Sequence, residues 1–472
     1  MKDSDPRIAF VATTMSEFDA VLDVQEVRRN DQYLPLIAAL LERLRRSAQV
    51  IDFGITGNDA EASAKGAQIA RSDCDLLLVW PLNYTLDTVI LHLTKGSRLP
   101  LLLLNSAPLS VLPKALDFGV IMENNAVACI PTFTNVLLKN HVDFTVISGA
   151  LADASLHNQI TLYAKAAGVA RALRQSRIGV VGHTYPGISS LSVDQAAVTG
   201  QFGVELVQIA VQEIAKEYAA VPDEEVHALA EKVRSAHEIS DIKPEEIRDS
   251  VRFEPALRRL VAKYRLNAVA SLCQELILHD KMGITPCHGH SALAEMGVVV
   301  TCECDVATAV VMLILRQFTD EVLFQEYYAQ DYDRGIGMLS HCGQGDRRMA
   351  GGAVSVKPHP CFSGHRGRGI SYEYLTKTGD ATMACLTCID GRWRMVAARI
   401  ECVAHEKVPS STAQLYFKFK DQDFNAAYHR WCEIGGIHHF GVGFGDHWEG
   451  LKTACRYLGV QFCGVQPAWR ES

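Results

Sequence analysis

The strongest constraint on this chain is a hydrophobic period that keeps switching. Short β-branched or leucine-rich runs recur at 8–13, 50–55, 76–80, 99–105, 144–148 and 178–182. Between them, stretches such as 33–46, 60–70 and 155–175 carry apolar residues at helical spacing. Strand–helix–strand alternation with apolar strands implies a parallel sheet covered on both faces, because a crossover must return the chain before the next parallel strand begins. The pattern predicts a doubly wound α/β domain over 1–175.

A second α/β unit is expected over 176–345, opening on Arg177-Ile178-Gly179-Val180-Val181-Gly182. Its charged stretch 222–265 reads as helices with a solvated face. Strands are expected at 268–272, 298–303 and 322–328, with a helix at 306–318. Beyond about residue 345 the texture changes. Runs at 353–357, 370–376, 382–389, 393–402 and 415–420 are separated by Gly, Pro and Asp turns and not by helices. Closely spaced strands of that kind predict an antiparallel, barrel-like sheet. Helices at 424–433 and 447–458 and strands at 439–444 and 460–465 complete the β-rich C-terminal domain, 346–472. The expected fold class is α/β: two doubly wound parallel-sheet domains followed by that domain.

Composition removes several functions. The formal net charge is −8 and no basic block stands out, so the footprint of a nucleic-acid binder is missing. No apolar run approaches the roughly 18 residues of a membrane span. The start, Met1-Lys2-Asp3-Ser4-Asp5-Pro6, lacks the charged-then-apolar pattern of a signal peptide. Fourteen cysteines are scattered through strand-like segments, the pattern of reduced core thiols. A cytoplasmic protein without disulfides is expected.

Four segments carry candidate chemistry. Val298-Val299-Val300-Thr301-Cys302-Glu303-Cys304-Asp305 is a valine-rich strand ending in two acids. Ligands of α/β sheets bind at the carboxyl ends of strands, which suits Glu303; Asp305 reads as the cap of the following helix. Glu326 interrupts the apolar run Leu323–Tyr328, and a charge so placed is exposed, paired or metal-bound. Leu339-Ser340-His341-Cys342-Gly343 ends a further strand in a histidine. Gly435-Gly436-Ile437-His438-His439 places two histidines at a strand start, of which pleating would let one face a given site. Two carboxylates with one or two histidines form a mixed O/N ligand set. It suits Mn²⁺ or another divalent ion such as Co²⁺ or Mg²⁺, and it also serves proton transfer.

These segments resemble the L-fucose/L-arabinose isomerase family. Residues 300–307 are similar to a Glu-Gly-Asp-Trp-Lys-Thr-Ala motif, with Cys304 in place of the glycine and Val306 in place of the aromatic residue. Leu339–Gly343 looks like the third ligand stretch, and Gly435–His439 resembles Gly-Gly-Ala-His-His. The resemblance implies Glu303, Glu326, His341 and His439 as metal ligands, with Glu303 and Glu326 also transferring protons. It further implies an aldose–ketose isomerase working on a ring-opened pentose, hexose or deoxy-sugar through a cis-enediol, assembled as a homo-oligomer (trimer or hexamer).

His438, His290 and Arg366 are candidate substrate contacts. Cys287-His288-Gly289-His290 lacks a partner cluster at zinc-finger spacing and reads instead as a substrate loop, its glycine allowing close approach. Arg366 or Arg368, in a basic loop, could hold a carboxylate or phosphate. Two rival functions follow: enediolate chemistry on a sugar acid or sugar phosphate, and a non-catalytic sugar-binding relative. Cys385-Leu386-Thr387-Cys388 lies in an expected strand and reads as ordinary core cysteines.

Overall fold

The computed structural model describes residues 5–15, 23–115, 117–279, 282–360 and 368–466. The chain divides into two compact units, Met1–Arg171 and Ala172–Ser472.

The first unit is built on five parallel strands: β1 (Arg7–Thr13), β2 (Gln49–Thr56), β3 (Leu76–Pro81), β4 (Leu101–Asn105) and β5 (Phe144–Ser148). Their order is β2-β1-β3-β4-β5. Ala9, Val11, Leu77, Val79, Leu101 and Leu103 pack against helices Asp59–Ile69, Asp87–Thr94 and Ala126–Lys139. The alternate residues, Ile8, Phe10, Leu78, Trp80, Leu102 and Leu104, are equally buried. Burial on both faces explains why these strands read as apolar runs and not as alternation.

The second unit contains two sheets. One is parallel and four-stranded: β6 (Arg177–Val181), β7 (Glu205–Ile209), β9 (Ala268–Ser271) and β10 (Val299–Cys302), in the order β10-β9-β6-β7. The charged stretch between β7 and β9 forms helices Asp223–Ala236, Pro244–Val251 and Phe253–Tyr264 and a two-residue strand, β8 (Glu238–Ile239). The other sheet adds β11 (Val322–Asp331), β12 (Ile336–Ser340), β13 (Ser355–Pro358), β14 (Ile370–Leu375), β15 (Gly379–Ile389), β16 (Arg392–Cys402), β17 (Ala413–Phe419), β18 (His439–Phe444) and β19 (Gln461–Val465). Within it, β16-β15-β18-β11-β12-β17 closes through a β16–β17 pairing. This gives an antiparallel barrel, which β19, β14, β13 and β8 extend. Its interior is filled by Leu339, Met383, Ile400, Phe417, Trp431 and Phe440 among others.

Strand β11 had been expected to continue the second α/β unit, yet it belongs to the barrel. The reason is local. Only a tight turn separates β11 from β12, with Arg334 N–H donating to Asp331 Oδ1 at 2.9 Å and Gly335 at φ +61°. Such a turn leaves no room for a crossover helix, so the two strands must be antiparallel.

Helix Val306–Leu315 contacts both the parallel sheet, at β9 and β10, and the barrel, at β11, β15 and β18. All ten of its residues are buried. A helix apolar on every side can exist only inside a core, which is where this one lies.

Candidate metal centre

Each candidate side chain is aimed by a different element. Strand β10 stops at Cys302, and Glu303 and Cys304 follow with φ of +54° and +57°. Two successive left-handed residues that are not glycine are costly and persist only where the surroundings impose them. Asp305 then caps helix Val306–Leu315, accepting from Thr308 N–H at 2.8 Å and from the Thr308 hydroxyl at 2.7 Å. Glu303 is thus fixed in a sharp turn between a buried strand and a buried helix.

Glu326 and His439 meet through register. They are directly opposite each other in the antiparallel β11–β18 pair, and Glu326 is opposite Ser340 in the β11–β12 pair. Opposed residues on neighbouring strands share a face at close range. His341 follows Ser340 at the end of β12, next to Cys342 with φ of +29°. Phe324 lies against both imidazoles, its ring centroid 4.6 Å from that of His341 and 4.9 Å from that of His439.

Four side chains converge. His439 Nε2 lies 3.8 Å from Glu303 Oε2 and 3.9 Å from Glu326 Oε2. His341 Nε2 lies 3.9 Å from Glu326 Oε2. These separations are too long for hydrogen bonds. Among the described residues, Glu303 Oε2, both nitrogens of His341 and His439 Nε2 are buried without a hydrogen-bond partner. Buried polar atoms are ordinarily paired, so unpartnered atoms of three residues, Glu303, His341 and His439, gathered around Glu326 mark a place for a shared ligand. Possible metal-holding groups within this cluster are Glu326, His341 and His439, and Glu303, His438 and His439.

The set fits a divalent cation. Two carboxylates and imidazoles are the donors that Mn²⁺ and its neighbours take. The adjacent thiols do not compete, since burial pushes Cys304 up to about 12 and raises Cys342 well above its ordinary value. Burial raises Glu303 and carries Glu326 up to about 7, with Glu303 adding repulsion at Glu326. At His439 burial favours the neutral ring, but the bond to Asp305 and the charges of Asp305, Glu303 and Glu326 outweigh it, and its pKa rises. Burial, then the neighbouring histidines, drives His341 well down. A neutral imidazole is the form that binds metal.

Asp305 has a second role beyond the cap. Its Oδ2 lies 3.2 Å from His439 Nδ1. A carboxylate there fixes the tautomer that leaves Nε2 free, the usual support of a ligating histidine. Sequence reading assigned Asp305 to capping alone; the signal for the rest lies in a long-range approach to β18.

The other candidates fall differently. His438 was expected to point away from the site if His439 faces it. It lies in a bend before β18, outside the pleat, so strand alternation does not govern it, and both imidazoles reach the cluster. The segment Cys287–His290 is not a loop but the buried first turn of helix Cys287–Glu295. The close approach at Gly289 is to another helix: a Cβ there would stand 2.8 Å from Phe253 Cβ. His288 is satisfied by the Tyr372 hydroxyl at 2.6 Å and Glu254 at 3.0 Å. His290 is buried and faces a small cavity. Arg366 lies outside the described residues. Arg368 is paired with Asp249 and Glu246. Cys385 is buried in β15 and Cys388 exposed, both as free thiols.

Residues 321–461 match the L-arabinose isomerase C-terminal domain family, a span that contains Glu326, His341 and His439. A sulfoquinovose isomerase from Priestia aryabhattai is 22% identical over 334 residues, covering 70% of this chain and 73% of that protein. One from Priestia megaterium matches to the same extent. An L-arabinose isomerase from Salmonella arizonae is 22% identical over 320 residues, covering 62% of this chain and 61% of its own length.

Proposed function

We propose that this chain is a remote member of the arabinose/fucose isomerase family and, from that premise, that it is a metal-dependent aldose–ketose isomerase. The observation that carries this reading is the convergence of Glu303, Glu326, His341 and His439, whose facing nitrogen and carboxylate atoms stand 3.8 to 3.9 Å apart without hydrogen-bonding one another. These four residues would hold Mn²⁺, Co²⁺ or Mg²⁺. An ion held there would supply Lewis-acid polarisation of the substrate carbonyl and stabilise the negative charge that develops during the proton transfer.

The chain's own residues move the proton. Glu303 and Glu326 are assigned these transfers, as carboxyl groups that burial raises above their ordinary value in the metal-free chain. In the open-chain aldose, one carboxylate takes the proton from C2 while the other protonates O1, giving the cis-enediol. Return of the carbon-bound proton to C1, with loss of the O2 proton, yields the ketose. His438, half-buried beside the ligands, is assigned to a substrate hydroxyl. Asp305 keeps His439 oriented throughout. We place the enzyme in the cytoplasm as a homo-oligomer, a trimer or hexamer; sizing by light scattering tests the assembly. Among the described residues, no helix is long and apolar enough to cross a membrane.

The test is elemental analysis followed by turnover. Wild type should carry about one divalent ion per chain after incubation with Mn²⁺, the Glu303→Gln variant far less, and a panel of pentoses, hexoses and deoxy-sugars should contain a substrate. Failure of the loaded protein on every member of the panel would remove the neutral-sugar reading. A second reading, the same chemistry on a sugar bearing an acidic group, is favoured by the sulfoquinovose isomerases among the relatives. Arg366 would then bind the acidic group, and Arg366→Ala should slow acidic substrates while sparing neutral ones.

A further inference from the structure

The parallel sheet beside Glu303 carries side chains that the metal centre does not use. From β6 the chain passes to β7 on one side and later returns to β9 on the other, so the order β10-β9-β6-β7 puts a topological switch point between β6 and β9. Ligands of open α/β sheets lie outside the carboxyl ends of the strands at such a point. Three loops leave those ends in one row. Cys302, the last residue of β10, stands opposite Ser271 of β9, and Ser271 stands opposite Val181 of β6. With neighbouring strands about 4.8 Å apart, the turn that carries Glu303 and the loop after β6 start about 10 Å from each other.

The loops also touch. Tyr185 N–H donates to the Glu303 carbonyl at 3.4 Å, which ties the loop after β6 to the turn that aims Glu303. Gly182, at φ +80°, lies against Glu275: a Cβ there would stand 3.3 Å from Glu275 Cγ and 3.1 Å from Leu272 Cβ. Across the switch point His183 Nε2 faces Glu275 Oε1 at 3.3 Å, and His183 Nδ1 lies 2.8 Å from the Thr184 carbonyl. Both side chains of this pair are open to solvent, and exposed pairs add little to stability, so changing either should leave the fold intact. Ser271, in the same row, has a hydroxyl buried without a partner among the described residues. With the carbonyl end of an open-chain sugar at Glu303, its far hydroxyls would extend along this row toward the loop after β6. An ionised carboxylate there only accepts hydrogen bonds, which suits hydroxyl donors. It repels a sulfonate or phosphate in the same place.

We propose that His183 and Glu275 are a specificity subsite at this switch point, which holds the hydroxyls at the far end of an open-chain sugar. Glu275 accepts from those hydroxyls and His183 holds its carboxylate across the crevice. The subsite selects a neutral polyhydroxy chain over one that ends in an acidic group. This inference rests on the isomerase reading above and deepens it by naming the class of sugar.

Kinetics and binding test this on the full chain after incubation with Mn²⁺. Glu275→Gln should raise KM for the best neutral sugar about tenfold, the size of one hydrogen bond to a charged group. Its kcat and Mn²⁺ affinity should stay at the wild-type values, as expected when binding is lost equally from substrate and transition state. The same variant should narrow the preference for that sugar over its terminally phosphorylated form about tenfold, because a like charge has been removed. His183→Asn keeps the carboxylate, so it should raise KM and preserve the preference. Unchanged KM in both variants would overturn the subsite. So would a fall in kcat in step with Mn²⁺ affinity, since the pair would then act only through the turn that carries Glu303. A readout without turnover is calorimetric titration with neutral alditols, ribitol and galactitol, which have the hydroxyl chain and no carbonyl. Wild type should bind one of them more tightly than Glu275→Gln does. If wild type converts no sugar yet shows this difference, the isomerase reading fails and the subsite stands. If it converts no sugar and binds neither alditol, both fall.

Discussion

Replacing Asp305 by Asn separates what this residue does for the fold from what it does for the metal. The side chain is fully buried and makes three contacts: Thr308 N–H, the Thr308 hydroxyl and His439 Nδ1. In Asp305→Asn the amide oxygen can still accept from Thr308 N–H, so the cap survives and the loss of stability should be about 1 kcal/mol. The amide nitrogen is a donor, however, and cannot accept the Nδ1 proton. The ring then favours the tautomer with its proton on Nε2, the atom facing Glu303 and Glu326, and that tautomer cannot ligate. Mn²⁺ affinity should fall about 10- to 100-fold, the usual cost of a lost outer-shell partner. Asp305→Ala loses the cap as well, about 0.5–2 kcal/mol, together with a charged hydrogen bond worth about 1.5–3 kcal/mol. It should unfold at clearly lower denaturant concentration than the Asn variant. The assay pairs urea unfolding with Mn²⁺ titration calorimetry. An Asn variant that binds Mn²⁺ as wild type does would refute the argument, because the tautomer of His439 would then not depend on Asp305.

Other expectations follow from the same site. Metal uptake requires an ionised Glu326, whose pKa is about 7 without metal; protons compete below that value, so apparent Mn²⁺ affinity should rise between pH 6 and 8 with proton release measurable in weak buffer. For the metal-free protein the sign is opposite. A carboxyl raised from 4.5 to about 7 on folding stabilises the fold while protonated, so stability should fall as pH climbs through that interval, by up to about 3 kcal/mol. Urea curves at pH 5 and pH 8 should show this for wild type and a flatter response for Glu326→Gln. Cys304 holds a left-handed backbone at φ +57°, so Cys304→Gly should change stability by no more than about 1 kcal/mol. Cys304→Val, β-branched in the same conformation, should lose more than about 1 kcal/mol in thermal unfolding. Arg368→Ala should leave stability within about 1 kcal/mol, because its partners Asp249 and Glu246 form a solvent-screened surface pair.

Much of the fold was legible because burial on two faces leaves a local signature. Strand β5 (Phe144–Ser148), helix Phe424–Glu433 and β18 (His439–Phe444) occupy the spans that periodicity alone predicts. The acids and histidines of the site stood out for a related reason: a charge in an apolar run has to be accounted for. Glu303 after three valines and Glu326 within 323–328 are visible as conflicts in the sequence itself. What periodicity could not report was which strand pairs with which. It missed that β11 joins the barrel, that Glu326 stands opposite His439, and that Asp305, correctly read as a cap, also reaches β18. It also took the first turn of a buried helix, Cys287–His290, for a loop. Pattern within a strand is set by the faces its neighbours cover, which is local. Register and the meeting of residues 113 to 136 positions apart depend on how the whole chain closes, and only the tertiary structure decided them.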